Sequence, residues 1–295
     1  VGLLVTGACS DFLEEKSQDE VIPSTATDYS EILLAYSNPG GYNMLSVLDD
    51  DIEINDLQYN DNENSIVKQH GGVFTWQPDM WEWENGIKDS YESTYTQIMG
   101  VNAVLDGVDD VEGSVEEKEV VKAQALGLRA YYYFMLVNLY GEPYNYNKKA
   151  LGVPLKLTSA LLENGITRNT VEEVYTRIVI DLEQASALFG KYSKRRGDFR
   201  INGTATDILL SRVYLYMEEW DRAIEAANRA IKTAEGLTDY TTVEAGNQFY
   251  MTTYELSEVE WLFDMSITNF PFVPSGDLLS KYTNGDKRET LWFDA

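Results

Sequence analysis

The stretch from residue 117 to residue 143 constrains the fold more than any other part of the sequence. Its apolar residues recur at alternating steps of four and three, the spacing of one face of an α-helix: Val121, Ala125, Leu128, Tyr132, Met135 and Leu139. From Ala130 to Val137 the apolar character extends all the way round, which is typical of a helix buried on most sides. Acidic residues precede it, and a stop signal at Gly141 to Pro143 follows it. The sequence therefore predicts a buried helix over 117–140 on which other helices pack.

Two capping boxes mark the starts of further helices. In each, a threonine is followed three residues later by an acidic residue, so that each side chain can accept a hydrogen bond from the other residue's backbone N–H. The pairs are Thr25 with Asp28 and Thr170 with Glu173. Together with the apolar spacing and the helix stops, they predict helices over 25–36, 87–105 and 170–190.

A helical hairpin is predicted over 204–235, with helices at about 204–217 and 219–235. Small and aromatic residues in it follow the spacing of a tetratricopeptide repeat, in which small side chains let paired helices approach closely: Leu210, Ser211, Tyr214, Trp220, Ala223, Ala227 and Ala230. We expect Trp220 to pack inside the repeat. The predicted fold class is all-α, mainly helical with long irregular loops and tetratricopeptide-like hairpins.

Three parts of the chain lack helical periodicity. Residues 41–79 and 141–169 are rich in turn-forming residues, and long ordered loops in compact domains tend to be functional. Beyond residue 240 the pattern is irregular again, with a short strand expected at 261–263 and a short helix expected at 275–282. Ligand-binding residues are therefore sought in these segments.

Composition excludes several classes of function. The 295 residues carry a net charge of −26, and a surface that negative repels phosphate backbones, so nucleic acid is not an expected partner. The single cysteine and the single histidine, Cys9 and His70, exclude an intrachain disulfide, cysteine metal clusters and multi-histidine metal sites. We expect no cofactor and no catalytic residues. The 20 tyrosines and 6 tryptophans favour interfaces and ligand platforms as well as cores.

Residues 1–9 have the composition of the end of a secretory signal: an apolar segment, small residues and then Cys9. In bacterial lipoproteins such a cysteine becomes the lipidated mature N-terminus, and we predict that role for Cys9. The alternative is a buried free cysteine. Residues 10–24 then form a polar tether, and 25–295 form a single helical domain.

Taken together, several segments resemble the SusD/RagB family of cell-surface nutrient-binding lipoproteins. Those that carry the resemblance are Ala125 to Phe134 with Leu139-Tyr140-Gly141, Gly152 to Leu155, Arg168 to Tyr175 with Asp181-Leu182-Glu183, the hairpin at 204–230, Leu278-Leu279 with Tyr282, Gly285 to Arg288, and Trp292-Phe293. Gln124 stands where the family often has glutamate. Because members are usually much longer, the chain is interpreted as an N-terminal portion, incomplete at its C-terminus.

The resemblance implies a helical body anchored by lipid at the outer face of the outer membrane. It also implies a partner, the SusC-like barrel of a TonB-dependent transporter, to which the protein delivers a nutrient. An oligosaccharide is the expected nutrient, although a family member can instead import peptides. The implied protein is not an enzyme.

A neutral sugar needs flat aromatic rings beside hydrogen-bonding side chains. The irregular regions supply both, and the candidate ligand-binding residues are Trp76, Trp81, Trp83, Tyr59, Asn60 and Asp50. Each of the three tryptophans has a core-packing alternative, which is favoured for Trp81. The acidic run at 49–51 offers oxygen ligands for calcium but lacks the spacing of a dedicated loop, so a solvated turn is favoured. Arg129 is expected to pair with a buried carboxylate.

Three functional hypotheses follow. The first is a non-catalytic glycan-binding lipoprotein that works with a transporter. The second is an adaptor that binds a peptide or protein on its helical repeats. The third, which is the least favoured, is a glycoside hydrolase, which requires a carboxylate pair about 5 to 9 Å apart. No acidic residue stands out from the acidic background.

Overall fold

The computed structural model describes residues 22–37, 48–54, 71–78, 80, 90–162, 165–192, 200–234, 236–237, 239–243, 261 and 272–292. This part of the chain is mainly helical, as predicted. In chain order its labelled elements are α1 (Ala26–Ala35), β1 (Ile52–Ile54), α2 (Ser90–Gly107), α3 (Val115–Tyr140), α4 (Val171–Phe189), α5 (Gly203–Tyr216), α6 (Trp220–Thr233), β2 (Phe272–Pro274), α7 (Gly276–Ser280) and α8 (Lys287–Trp292). Single turns of 3-10 helix lie at Val108–Asp110 and Tyr240–Thr242.

Helix α3 is the central element, as the apolar spacing predicted. It begins two residues before the predicted start, because Ser114 and Glu117 form a capping box. Leu128, Tyr132 and Leu136 have no exposed surface. Helix α4 packs along α3, and α1 and α2 also contact it. The core of the described chain therefore surrounds α3.

Both predicted capping boxes are present. Thr25 and Asp28 cap α1, and Thr170 and Glu173 cap α4. In each pair the backbone N–H of the threonine also donates to the carboxylate, at 2.9 Å for Asp28 and 2.7 Å for Glu173. The predicted inner face of α4 is buried along its whole length, at Val174, Ile178, Leu182 and Ala185.

The hairpin formed by α5 and α6 extends the helical stack, since α5 packs on α4 and α6 packs on α5. The predicted Ala223 and Ala230 are buried on α6, which packs on α5. The third buried alanine is Ala226, whereas the predicted Ala227 is half-buried. The prediction that Trp220 packs inside the repeat is wrong, because its side chain is 56% exposed. It occupies the first position of α6, off the alanine face that contacts α5.

A buried ion pair joins α3 to α4, as expected for Arg129. Its guanidinium donates to Asp181 through Nε at 2.7 Å and through Nη2 at 2.9 Å. Arg177, one turn before Asp181 on α4, donates to the same carboxylate. Arg129 also donates to the side chain of Asn102 on α2 at 3.0 Å. The cluster therefore connects three helices inside the core.

The irregular segment after α3 is held firmly against the helices. Its irregular stretch from 151 to 159 receives side-chain hydrogen bonds along its length, from Tyr95 to the Pro154 carbonyl at 2.6 Å and from Tyr133 to the Lys156 carbonyl at 2.7 Å. Ser159 donates in turn to Asp106 at the C-terminal end of α2. Lack of helical periodicity therefore does not mean lack of order here.

The segments predicted to be irregular also contain a small antiparallel sheet. Strand β1 pairs with β2, with Ile52 opposite Pro274. The predicted short helix at 275–282 is present as α7, capped by Ser275. Of the predicted strand at 261–263 only Trp261 is described, and it packs on Tyr131 with ring centroids 5.2 Å apart. None of the described helices is both long and apolar enough to cross a lipid bilayer.

Candidate functional site

Trp76 is the candidate ligand residue that the structure describes in most detail. It follows a helical turn at 71–74, and its indole is 65% exposed. Its backbone φ is +55°, in the left-handed region that a bulky side chain rarely adopts. The turn is closed by hydrogen bonds from Trp76 N–H to the Val73 carbonyl at 3.0 Å and from Gln77 N–H to the Gly72 carbonyl at 2.9 Å. Val73 anchors the segment, since it has no exposed surface.

Holding Trp76 in this conformation costs about 1–3 kcal/mol, the usual range for a non-glycine residue in the left-handed region. The exposed ring recovers little of that free energy through burial. The two hydrogen bonds that close the turn are those of a helix C-terminal cap, where a residue in the left-handed region is common. Such strain also clusters at ligand sites, where the surrounding structure imposes a geometry on a side chain. Thr75 and Gln77 flank Trp76 in the sequence, and their side chains donate within the turn, to the Gly71 carbonyl at 2.7 Å and the Thr75 carbonyl at 3.2 Å.

Asp50 lies in an exposed turn between Asp49 and Asp51. The carboxylate oxygens of the three residues lie within 4.8 Å of one another. Asp51 N–H donates to the Asp49 carboxylate at 3.0 Å, and the run leads directly into β1. The solvated turn favoured from the sequence stays a prediction, because three carboxylates this close together can also hold a cation.

The remaining candidate residues fall outside the part of the chain that the structure describes. They are Tyr59, Asn60, Trp81, Trp83 and Cys9, together with His70. The ligand-binding role of the first four and the lipidation of Cys9 stay predictions.

Sequence reasoning missed a cleft between the C-terminal end of α3 and the turn that joins α5 to α6. Its volume is about 320 Å³, and it is lined by Asn138, Gly141, Glu142, Pro143, Tyr144, Asn145, Tyr216 and Glu218. The Asn145 side-chain amide donates to the Tyr216 carbonyl at 3.2 Å and so joins the two turns across 71 residues of sequence. Tyr144 and Asn145, which follow the helix stop at Gly141, are only a weak sequence signal for a binding site. Tyr216 comes beside them only in the folded chain.

Shifted pKa values in the described residues do not resemble those of a catalytic acid. The carboxyl groups with a shifted pKa have it lowered, by backbone or side-chain hydrogen bonds at helix starts and turns: Asp28, Glu119, Glu173, Asp239 and Asp286. Burial raises the pKa of Tyr131 and of Tyr175 to about 12, so both phenols stay protonated at neutral pH. A glycosidase acid requires the opposite change, a carboxyl group with a raised pKa.

Comparison with known proteins establishes the family. A SusD-like family model, described as starch-binding and associating with the outer membrane, matches residues 11–215. Because this match covers more than half of the chain, the chain belongs to the SusD-like family. It is similar to SusD-like protein P25 of Formosa agariphila, with 22% identity over an alignment of 281 residues that covers 88% of this chain and 49% of the relative.

Solved structures share the fold. A SusD superfamily protein from Bacteroides thetaiotaomicron has a TM-score of 0.68 at 20% identity, over 87% of this chain and 61% of the other. A putative sugar-binding protein from Bacteroides vulgatus has a TM-score of 0.59 at 27% identity, over 72% of this chain and 47% of the other. A laminarin-binding SusD-like protein has a TM-score of 0.59 at 21% identity, over 80% of this chain and 50% of the other. The chain thus spans about half to three fifths of the length of these relatives.

Proposed function

We propose that the protein binds a neutral oligosaccharide through an aromatic surface that includes Trp76, and that it does so without catalysis. The observation that carries the proposal is the exposed and strained indole of Trp76. The family description as starch-binding and the laminarin-binding structural relative support a glucan as the ligand class. The net charge of −26 disfavours anionic sugars.

The physical basis is the stacking of a sugar's C–H face on a flat ring. An indole that already stands in solvent needs no rearrangement to accept a sugar, so little ordering entropy is lost on binding. The closed turn at 71–77 fixes the ring's direction. Trp81, Trp83, Tyr59 and Asn60 are proposed as further contacts of the same surface, with Asp50 as a hydrogen-bond acceptor.

Calorimetric titration with maltoheptaose and laminarihexaose tests this proposal. We expect Trp76→Ala to weaken binding by roughly tenfold or more, because it removes the stacking surface. Trp220→Ala is the matched control, since it removes an indole of similar exposure, 56% against 65%, from helix α6. Equal affinities for wild type and Trp76→Ala would refute the role of Trp76.

Delivery to a transporter completes the proposed function. We propose that Cys9 carries a lipid that holds the protein on the outer face of the outer membrane, and that a SusC-like TonB-dependent barrel receives the sugar. Two measurements test this: mass spectrometry of the N-terminal peptide purified from native membranes, and identification of the proteins that co-purify. Absence of acyl chains on Cys9 or absence of a barrel among the co-purifying proteins would contradict the corresponding part.

A further inference from the structure

The cleft between α3 and the α5–α6 turn is lined by a buried tyrosine, Tyr144, whose hydroxyl has no hydrogen-bond partner among the described residues. Five tyrosines are buried in the described chain, and four of them use their hydroxyl groups in hydrogen bonds: Tyr132 to Tyr36, Tyr133 to Lys156, Tyr175 to Asn138 and Tyr214 to Glu183. Tyr144 is the exception. It is 8% exposed, yet its hydroxyl makes no hydrogen bond within the described residues. The Tyr144 hydroxyl oxygen is accessible to solvent, unlike the buried polar atoms of the described residues that lack a partner. It therefore opens on the cleft that Tyr144 lines.

Other polar groups around the cleft are also unused by the fold. The carboxylates of Glu142 and Glu218 and the hydroxyl of Tyr216 have no hydrogen-bond partner in the described part of the chain, and the side-chain oxygen of Asn145 is free to accept. Asn138 differs, because its amide donates to the Phe134 carbonyl at 2.7 Å and its oxygen accepts from Tyr175 at 3.1 Å. Asn138 is therefore a fixed wall of the cleft, whereas the other groups are exposed and open to solvent.

The aromatic walls of the cleft are held rigidly from behind. Tyr144 packs on Tyr175 with ring centroids 4.8 Å apart, and Tyr216 packs edge-on against Phe134 at 5.1 Å. The other side of the Tyr216 ring is open, since the residue is 52% exposed. Gly141 allows the chain to turn close to α3, because a Cβ there would lie 2.7 Å from the Val137 carbonyl oxygen. The cleft is thus formed before a ligand arrives.

The chemistry of the lining selects a class of ligand. An open tyrosine ring offers stacking, two carboxylates and an amide oxygen accept hydrogen bonds, and two phenol hydroxyls both donate and accept. A sugar residue presents an apolar C–H face and several hydroxyls, which match these groups. The two glutamates repel carboxylated and sulfated sugars. A volume of about 320 Å³ lies at the lower end of the range for small-molecule sites, so we expect one or two sugar units to fit.

We propose that this cleft is a second saccharide-binding site, in which Tyr216 stacks on a neutral sugar and Tyr144, Glu142 and Glu218 bind its hydroxyls. The proposal rests on the proposed function, since it assigns the same ligand class. It adds a site built by elements that share no residue with the turn of Trp76.

The test compares two tyrosine variants of the full chain by calorimetric titration with maltoheptaose and laminarihexaose. Tyr144→Phe removes one hydroxyl that the fold does not use, so folding stability is expected to stay unchanged while affinity falls roughly 2- to 10-fold. Tyr146→Phe is the matched control, because it makes the same change two residues away on a side chain that is 79% exposed and does not line the cleft. Tyr216→Ala is a second variant, which removes the stacking ring.

The outcomes separate this inference from the proposed function. Weaker binding by Tyr144→Phe and Tyr216→Ala, with wild-type binding by Tyr146→Phe, supports the second site. Wild-type binding by both cleft variants, with weaker binding by Trp76→Ala, overturns the second site and leaves the proposed function standing. Weaker binding by the cleft variants alone supports the cleft and refutes the assignment of Trp76. Absence of binding by the wild-type protein overturns both.

Discussion

Replacing Asp181 by asparagine tests whether the buried ion cluster holds the helices together. Asp181 has no exposed surface, and the side chain of Arg129 is 7% exposed. The substitution keeps the size of the side chain but removes the charge that balances Arg129 and Arg177. Arg129 cannot turn to solvent without breaking its hydrogen bonds to Asn102 and to the Leu157 carbonyl.

The expected cost follows from the geometry. Breaking a buried pair by removing one partner costs about 3–5 kcal/mol, because the remaining charge stays desolvated. The two hydrogen bonds from Arg129 to Asp181 place this pair in that class. At roughly 2–4 °C per kcal/mol, the melting temperature is expected to fall by about 6–20 °C.

Urea unfolding followed by far-ultraviolet circular dichroism measures the difference in unfolding free energy. Lys122→Ala is the control, since Lys122 pairs with Asp109 at the surface, where the side chains are 36% and 60% exposed. That change is expected to cost less than about 1 kcal/mol. If Asp181→Asn costs no more than Lys122→Ala, the cluster does not carry the stability assigned to it.

Three further changes have expected outcomes. Tyr133→Phe is expected to lower the unfolding free energy by about 1–3 kcal/mol, because the Lys156 N–H loses its acceptor and the Lys156 carbonyl loses one donor, although it keeps the Asn102 amide. Equal urea midpoints for Tyr133→Phe and wild type would contradict this. Gly113→Ala is expected to cost about 1–3 kcal/mol, since φ is +146° and a Cβ would lie 2.8 Å from that of Ala26; Gly236→Ala, in open space, is the control. The hydrogen bond from the Thr170 backbone N–H lowers the pKa of Glu173 from 4.5, so its contribution to folding stability is present above pH 4.5 and is lost as pH falls through the pKa of the folded state. When the pH is lowered from about 6 to about 3.5, the melting temperature of Glu173→Gln is therefore expected to fall less than that of the wild type. Equal falls in melting temperature would refute this.

The helices were predictable from the sequence because their signals are local. The apolar spacing of α3 and the two threonine capping boxes each lie within a few turns of chain, and the structure has them where they were predicted. The start of α3 was predicted two residues late, because the acidic run hid the box formed by Ser114 and Glu117. A cap depends on single side chains, whereas helical spacing averages over many residues.

Features that depend on distant parts of the chain were not predictable. Strand β1 pairs with β2 more than two hundred residues later, and neither three-residue strand has a periodic signal of its own. The Tyr144–Tyr216 cleft likewise joins two turns that only the packing of α3, α4 and α5 brings together. Trp220 was misplaced because it stands at the first position of α6, off the face that carries the buried alanines Ala223, Ala226 and Ala230.

The abundance of tyrosine has a structural explanation that composition alone does not give. A buried tyrosine brings a large apolar ring into the core and a hydroxyl that must find a partner. Here Tyr95 and Tyr133 donate to carbonyl groups of the irregular stretch 151–159, so the rings pack among the helices while the hydroxyls hold a non-helical stretch. These two tyrosines therefore attach irregular chain to the helical body, whereas Tyr175 and Tyr214 bond to side chains of neighbouring helices. The number of tyrosines alone does not indicate a binding protein. Among the buried tyrosines described, Tyr144 alone has a hydroxyl that makes no hydrogen bond within the fold, which is why the proposed second site includes it.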